Sequence, residues 1–293
     1  MRSKRSANFI TQGSLGLIMT LFSVIVLYPF LYCVAYSLSD SVAVATRNVT
    51  IFPVDFTLEN YINVFKNNRV YNSFLISVAR TGGGVLWTLT VTGLASYAIS
   101  KRQIPFNRII AFLLIIPMYV SGGLIPTYVL MFRLKLYNNF LVYILPHGFW
   151  AFNMLLMRTY FDTLPAEMEE SARLDGAGDL RIFLRIVLPV SMPIVAVIAM
   201  YSGVWQWNAW FDAMLYITRQ PLKPLQAILQ QLIMESFTQT LQLAQGGQVA
   251  EKQASPEGVR LATMVITVIP IVIIYPFFQK HFVRGVMIGA VKA

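Results

Sequence analysis

The 293-residue sequence is 56% hydrophobic and only 12% charged, with a formal net charge of +10. A soluble globular chain carries about twice that share of charge, and the long apolar runs exclude the one or two soluble domains that the length alone would allow. The basic excess reads as topology signal and lipid headgroup contact, not nucleic-acid binding, because no aromatic-plus-basic motif accompanies it.

A membrane helix needs about 20 apolar residues, and the chain has room for six. A basic arm (Arg2, Lys4, Arg5) precedes span one, residues 15–38, which holds no charge. That run is too long for a signal-peptide core and has no small-residue cleavage site, so it reads as a retained span. Pro29 is a candidate kink. A polar loop, 39–70, leads to span two, 71–99, which contains Arg80 and Gly82-Gly83-Gly84. No Gly-Lys-Ser/Thr follows those glycines, so they read as a site of close helix approach and not as a phosphate loop. Span three, 108–131, is interrupted by Pro117, Gly122-Gly123 and Pro126. Span four, 140–157, has Pro146 inside it. Span five covers 190–217 and span six 261–278. Between them the glutamine-rich loop 218–260 carries Leu225, Ile228, Leu229, Leu232 and Ile233, the pattern of a short amphipathic helix.

Cys33 is the only cysteine, so no internal disulfide forms. His147 and His281 lie far apart without ligand-spaced neighbours, and no metal site is expected. With the N-terminus inside, thirteen Lys and Arg fall in inner segments and nine in outer ones. The positive-inside rule then puts both termini in the cytoplasm, with segment 158–190 between spans four and five.

That segment is the most informative. Pro165 suits the first turn of a helix, and Glu167, Glu169 and Glu170 load the positive end of its dipole. Gly176 can supply the left-handed residue that ends it. Asp179 can cap a second helix with Ile182, Phe183, Ile186 and Val187 on one face. Pro189 closes the pattern. The expected product is a helix–turn–helix displayed for docking; the plainer alternative is a charged connector.

Glu170-Ser171-Ala172, then Gly176, then Ile186 and Leu188-Pro189, resembles the EAA loop of the membrane subunits of bacterial ATP-binding-cassette (ABC) importers. Ser171 stands where that family usually has alanine. Tyr71-Asn72-Ser73, Ala95-Ser96-Tyr97-Ala98, the stretch Gly123 to Tyr128, Ile144-Leu145-Pro146, Trp207-Asn208-Ala209-Trp210 and the stretch Pro224 to Leu229 extend the likeness. Together they resemble type I carbohydrate-importer permeases of the oligosaccharide and polysaccharide branch, as in the alginate importer.

The resemblance implies an all-α polytopic fold of six transmembrane helices. It divides the chain into residues 1–70 (arm, first helix, outer loop), a core 71–279 and a cytoplasmic tail 280–293. It implies a non-catalytic permease, with ATP and Mg bound by a dimeric cytoplasmic ATPase partner and no cofactor in this chain. The other implied partners are a second permease subunit, an extracytoplasmic solute-binding protein and the sugar; membrane lipid surrounds the chain, and nucleic acid is not a partner. Docking residues by position are Glu169, Glu170, Ser171, Ala172, Asp175, Gly176, Ala177, Ile186 and Pro189.

For the substrate pathway, Trp205, Gln206, Trp207, Asn208, Trp210 and Asp212 combine aromatic faces with hydrogen-bonding groups, as sugars require. An interfacial aromatic belt is the competing account. Helical spacing makes Trp207 and Trp210 neighbours and turns Trp205 away. Arg80 either faces an acidic sugar, pairs with Asp212 or meets a backbone carbonyl, since intramembrane charges need a cavity or a partner. An ion-coupled secondary transporter, a same-fold permease for amino acids or peptides, and a membrane-embedded enzyme are the rivals. The first needs buried carboxylates in several spans, and only Asp212 comes near. The last needs a nucleophile, a metal cluster or an acid–base pair at membrane depth, and none is legible.

Overall fold

The computed structural model describes residues 2–40, 44, 49–66, 68–101, 103–244 and 256–290. Arg47, Arg102, Lys252 and Lys292 of the topology count lie outside them, as do Gln245, Gln248 and Gln253 of the glutamine-rich loop.

Twelve α-helices are described: α1 (Arg2–Ser37), α2 (Glu59–Lys66), α3 (Asn68–Ser100), α4 (Asn107–Tyr119), α5 (Leu124–Arg133), α6 (Ala151–Phe161), α7 (Ala166–Leu174), α8 (Asp179–Val190), α9 (Met192–Asn208), α10 (Phe211–Tyr216), α11 (Leu225–Ala244) and α12 (Pro256–Ala290). The only β pairing among the described residues is an isolated bridge between Ser39 and Phe56. Among the described residues, three continuous helices are long and apolar enough to cross a bilayer: Gln12–Ser37, Asn68–Ser100 and Glu257–Phe277. Three further crossings are available as bent pairs. Span three is one of them: α4 and α5 meet at 112° across residues 120–123, where Gly123 takes φ +83°. Only a residue without a Cβ enters that conformation cheaply.

The described residues fall into two compact units, one within Met1–Asn68 and Leu229–Ile269, the other within Arg69–Ile228 and Pro270–Ala293. Residues 229–269, expected in the core, group with the first unit. In that unit the buried Asn60 of α2 donates to the Ser37 and Ser39 carbonyls, each at 3.1 Å, and so satisfies the end of α1. Helix α2 falls within the polar loop 39–70 expected from the sequence. The helix expected to be short in the outer loop is α11, which runs 20 residues with Leu225, Ile228 and Leu229 buried. The tail from residue 280 continues α12 as far as Ala290 and is not a separate segment.

In the second unit, span four departs most from expectation. Residues Phe140–Tyr143 and Leu145–His147 form two 3₁₀ turns, and only α6 is α-helical, 50° away. Pro146 in the second turn and the extended Trp150 account for the break. Irregular backbone at membrane depth survives only where protein groups satisfy it. Here a polar stripe on α3 does so. Ser77, Arg80, Thr88, Thr92 and Ser96 recur at helical spacing and are fully buried. Trp87 Nε1 donates to the Leu145 carbonyl (3.3 Å), Thr88 to His147 (3.1 Å), Thr92 to Gly148 (3.4 Å) and Ser96 to Met154 (3.0 Å). Leaving one such carbonyl unmet costs about 1–3 kcal/mol. The stripe therefore makes an otherwise unstable turn a fixed part of the fold. The glycines fit the same account: Gly82-Gly83-Gly84 lies mid-helix in α3, and a Cβ at Gly84 would overlap the Gln206 side chain.

Candidate functional site: a docking hairpin and an aromatic cavity

Helices α7 and α8 form the hairpin anticipated for segment 158–190. Pro165 is the residue before α7 and not a member of its first turn; Glu167 and Glu169 occupy that turn. The end of α7 is a Schellman motif. The Gly176 N–H donates to the Arg173 carbonyl (3.0 Å), and the Ala177 N–H reaches back to Ala172 (2.9 Å). Gly176 has φ +78°. Ala172 and Ala177, the apolar pair that such a motif brings together, pack on a buried cluster of Met157, Phe161, Ile182, Phe183 and Val187. The spacing of Ala172, Gly176 and Ala177 is thus the spacing of one helix stop.

The second helix begins one residue earlier than expected. Gly178 is its N-cap, and Asp179, its first residue, makes no capping bond but accepts from Arg173 Nη2 at 2.9 Å. A π-helical turn, Phe183–Val187, follows, closed by the Leu188 N–H bonding to the Phe183 carbonyl. At Ser191 the chain turns 85° into α9. Glu170, Ser171, Asp175, Gly176 and Pro189 are exposed, while Glu169, Ala172, Ala177 and Ile186 are half-buried. Leu174 is 89% exposed, and Leu180 and Leu184 of α8 are exposed as well. Gly176, Asp179, Leu180, Arg181, Leu184 and Arg185 line an open groove of about 600 Å³. Apolar tips ringed by charge are the mark of an interaction surface.

The second site is at the end of α9. Span five was expected to run to residue 217. It stops at Asn208, where Ala209 is extended (ψ 127°), and α10 restarts at Phe211. This break rearranges the tryptophans. Trp205 and Trp210 line one cavity of about 360 Å³ with His147, Asn208 and Asp212. Trp207 points away from it, is 7% exposed and packs edge-on against Phe74, ring centroids 6.0 Å apart. The expected grouping of 207 with 210 is thereby reversed, because helical periodicity ends before residue 210. Trp205 also borders a second cavity of about 240 Å³, where His147 lies 4.4 Å and Trp150 5.3 Å from its ring.

Arg80 is behind the cavity wall, not in it. It is fully buried, which corrects its placement among the pathway-lining residues. Its Nη1 donates to the Ala209 carbonyl (3.0 Å) and Asp212 Oδ1 (3.2 Å), its Nη2 to Asp212 Oδ2 (2.7 Å), and Nε and Nη2 both to Gln206 Oε1 (3.2 and 3.1 Å). Its guanidinium carbon sits 4.3 Å from the Tyr143 ring centre. Gln206 Nε2 completes the knot by donating to the Tyr143 carbonyl at 2.9 Å. One cation thus holds α3, the 3₁₀ turn, the end of α9 and the start of α10 together. Two of the three readings offered by the sequence, pairing with Asp212 and contact with a carbonyl, hold at once. Sequence reasoning missed His147 and Trp150 as cavity residues. Pro146 was the available signal, since it marks the break that turns both inward.

The family described as binding-protein-dependent transport system inner membrane component matches residues 89–288. This chain belongs to that family. The matched stretch contains the hairpin and the residues that line the 360 Å³ cavity, and begins after Arg80. This inner membrane component is 32% identical to the polygalacturonan/rhamnogalacturonan transport system permease protein YtcP of Bacillus subtilis, over 93% of this chain and 94% of the relative. It is 37% identical to protein LplC of the same organism, over 92% and 90%. Among solved structures, the inner membrane component superposes on a chain of a bacterial ABC transporter involved in the import of the acidic polysaccharide alginate. The TM-score is 0.84 at 30% identity, covering 94% of this chain and 98% of that one. The fold is therefore the type I ABC permease fold that the resemblance implied.

Proposed function

We infer that this chain is a permease subunit that moves an oligosaccharide or polysaccharide fragment across the bacterial cytoplasmic membrane by alternating access. The observation that carries the sugar reading is the cavity at the end of α9. There Trp205 and Trp210 offer ring faces beside Asn208, His147 and Asp212, which offer hydrogen bonds. Ring faces suit sugar C–H surfaces and the polar groups suit hydroxyls. Relatives named for polygalacturonan and alginate support a uronate-rich cargo. Arg80 is not offered to its carboxylates, because Asp212 and Gln206 already engage it.

In this reading the chain itself has no catalytic role. A cytoplasmic ATPase grips the α7–α8 hairpin and supplies the energy, a second permease subunit completes the pathway, and a binding protein delivers cargo; the family's description as binding-protein-dependent supports the last of these. Both termini and the hairpin then lie in the cytoplasm, in keeping with the count of basic residues.

The test is to purify the tagged chain from its native membranes with whatever accompanies it, reconstitute it in liposomes and follow labelled uronate oligosaccharide. Uptake requires ATP, and Trp205→Ala raises the KM for uptake about tenfold, the worth of one lost stacking contact of about 1.4 kcal/mol. Trp207→Ala lowers the yield of folded protein and leaves KM unmoved. A chain that purifies alone and moves solute down an ion gradient without ATP is an ion-coupled transporter, and the reading falls.

A further inference from the structure

Glu169 is the acid of α7 that turns toward the protein; Glu167 and Glu170 are exposed. Its carboxylate pairs with the Lys101 ammonium, just past the C-terminal end of α3, and both side chains are shielded, Lys101 at 22% and Glu169 at 16% exposure. The same ammonium lies 4.3 Å from the centre of the Tyr97 ring, and the Tyr97 hydroxyl stands 3.5 Å from Glu169 Oε2. Tyr97 also packs against Phe183 of α8 at 5.1 Å and Phe161 of α6 at 6.5 Å. Arg173 of α7 adds a bond to Gln103 at 3.3 Å. Both limbs of the hairpin are therefore fastened to one end of α3: α7 by charge, α8 by aromatic packing. About 30 Å along the same unbroken helix, at 1.5 Å per residue, Arg80 holds the wall of the cavity.

We propose that Lys101 and Glu169 are positioning residues for energy coupling. Their pair makes α7 and α3 move as one body, so that displacement of the hairpin is carried along α3 to the Arg80–Asp212 knot. Exposed ion pairs contribute little. This one is partly shielded, is braced by a cation–π contact, and joins two elements 68 residues apart in sequence. A rigid helix with a latch at one end and a charge knot at the other is the kind of contiguous element that carries coupling.

The proposal rests on the importer reading, and the experiment separates the two. In the reconstituted complex with its copurifying partners, ATP hydrolysed per sugar taken up is measured for wild type, Lys101→Gln, Glu169→Gln, Lys101→Arg and the swapped Lys101→Glu/Glu169→Lys. Lys101→Gln, which lies outside the docking residues, retains the ATPase, and both Gln variants raise the ratio about fivefold or more, the size of an ordinary coupling term. Lys101→Arg and the swap return it near the wild-type value. A ratio unchanged in the Gln variants overturns the proposal. So does a raised ratio that the swap fails to restore, because the two side chains then act separately. Loss of the ATPase from the Lys101→Gln variant overturns it in favour of a role in assembly. Sugar uptake by wild type without ATP removes the importer reading and the proposal with it.

Discussion

The hairpin and the cavity wall are built by opposite means. The turn of the hairpin is closed by neighbours in sequence: Ala172, Gly176 and Ala177 end α7 through bonds spanning three to five residues. The cavity wall is held by strangers. Arg80 meets Asp212 across 132 residues, and Gln206 meets the Tyr143 carbonyl across 63. A locally specified element can be displayed on a surface and rebuilt after each encounter with a partner. A wall tied at long range keeps its internal geometry and moves, if it moves, as one piece. Their failure modes should differ accordingly, and substitutions can be chosen to expose the difference.

The largest effect belongs to Asp212→Ala. It strands a fully buried guanidinium whose partner carboxylate is itself only 9% exposed. Breaking one partner of a buried pair costs about 3–5 kcal/mol, whereas replacing both partners with apolar groups costs far less. Thermal unfolding of the purified protein should therefore show a lower midpoint for Asp212→Ala than for Arg80→Met/Asp212→Leu. A midpoint near wild type for the single variant would mean that the wall does not depend on the knot, and the contrast with the hairpin would collapse.

Next come two glycines that look alike in the sequence and act for different reasons. A Cβ at Gly84 would overlap the Gln206 side chain, so Gly84→Ala overpacks the knot at about 1–3 kcal/mol. A Cβ at Gly176 meets nothing within 4 Å. Its cost is that of the left-handed backbone alone, about 1–2 kcal/mol. The order of substituents then discriminates. Asparagine, which tolerates that backbone, should be milder than alanine at Gly176 when retention of the ATPase is measured. At Gly84 asparagine should be the harsher of the two, because it is larger. The same order at both positions would mean that the two glycines do one job.

Legibility followed the same divide. The hairpin could be read because capping, dipole and glycine rules act within one or two turns. The errors there, Pro165 and Asp179 each one position off, are the size of a cap assignment. The six apolar runs were legible from hydropathy, but hydropathy does not register bends. Spans three, four and five are apolar through Gly123, Pro146 and Ala209, yet each is broken. The tryptophans of α9 were assigned to faces by a helical period that stops at Asn208. Arg80 was identified as costly and in need of a partner, and Asp212 was among the candidates. That one guanidinium would serve a carboxylate, an amide and a carbonyl together depends on how four elements meet, which no local pattern encodes.

The smallest effect is the most informative about the docking face. Ser171 is the departure from the family pattern, and it is exposed on α7. A surface substitution free of caps and packing stays within about 0.5 kcal/mol, and alanine is the better helix former. Ser171→Ala should therefore leave the melting midpoint and ATPase retention unchanged. Ser171→Trp should also leave the midpoint unchanged, since the side chain points into open solvent in the isolated chain. A bulky ring there would block a closely fitted partner, so the ATPase should be lost from the purified complex. Retention of the ATPase by the Ser171→Trp variant would put the partner's contact on another face of the hairpin. The exposed Leu174, Leu180 and Leu184 would then be the residues to substitute.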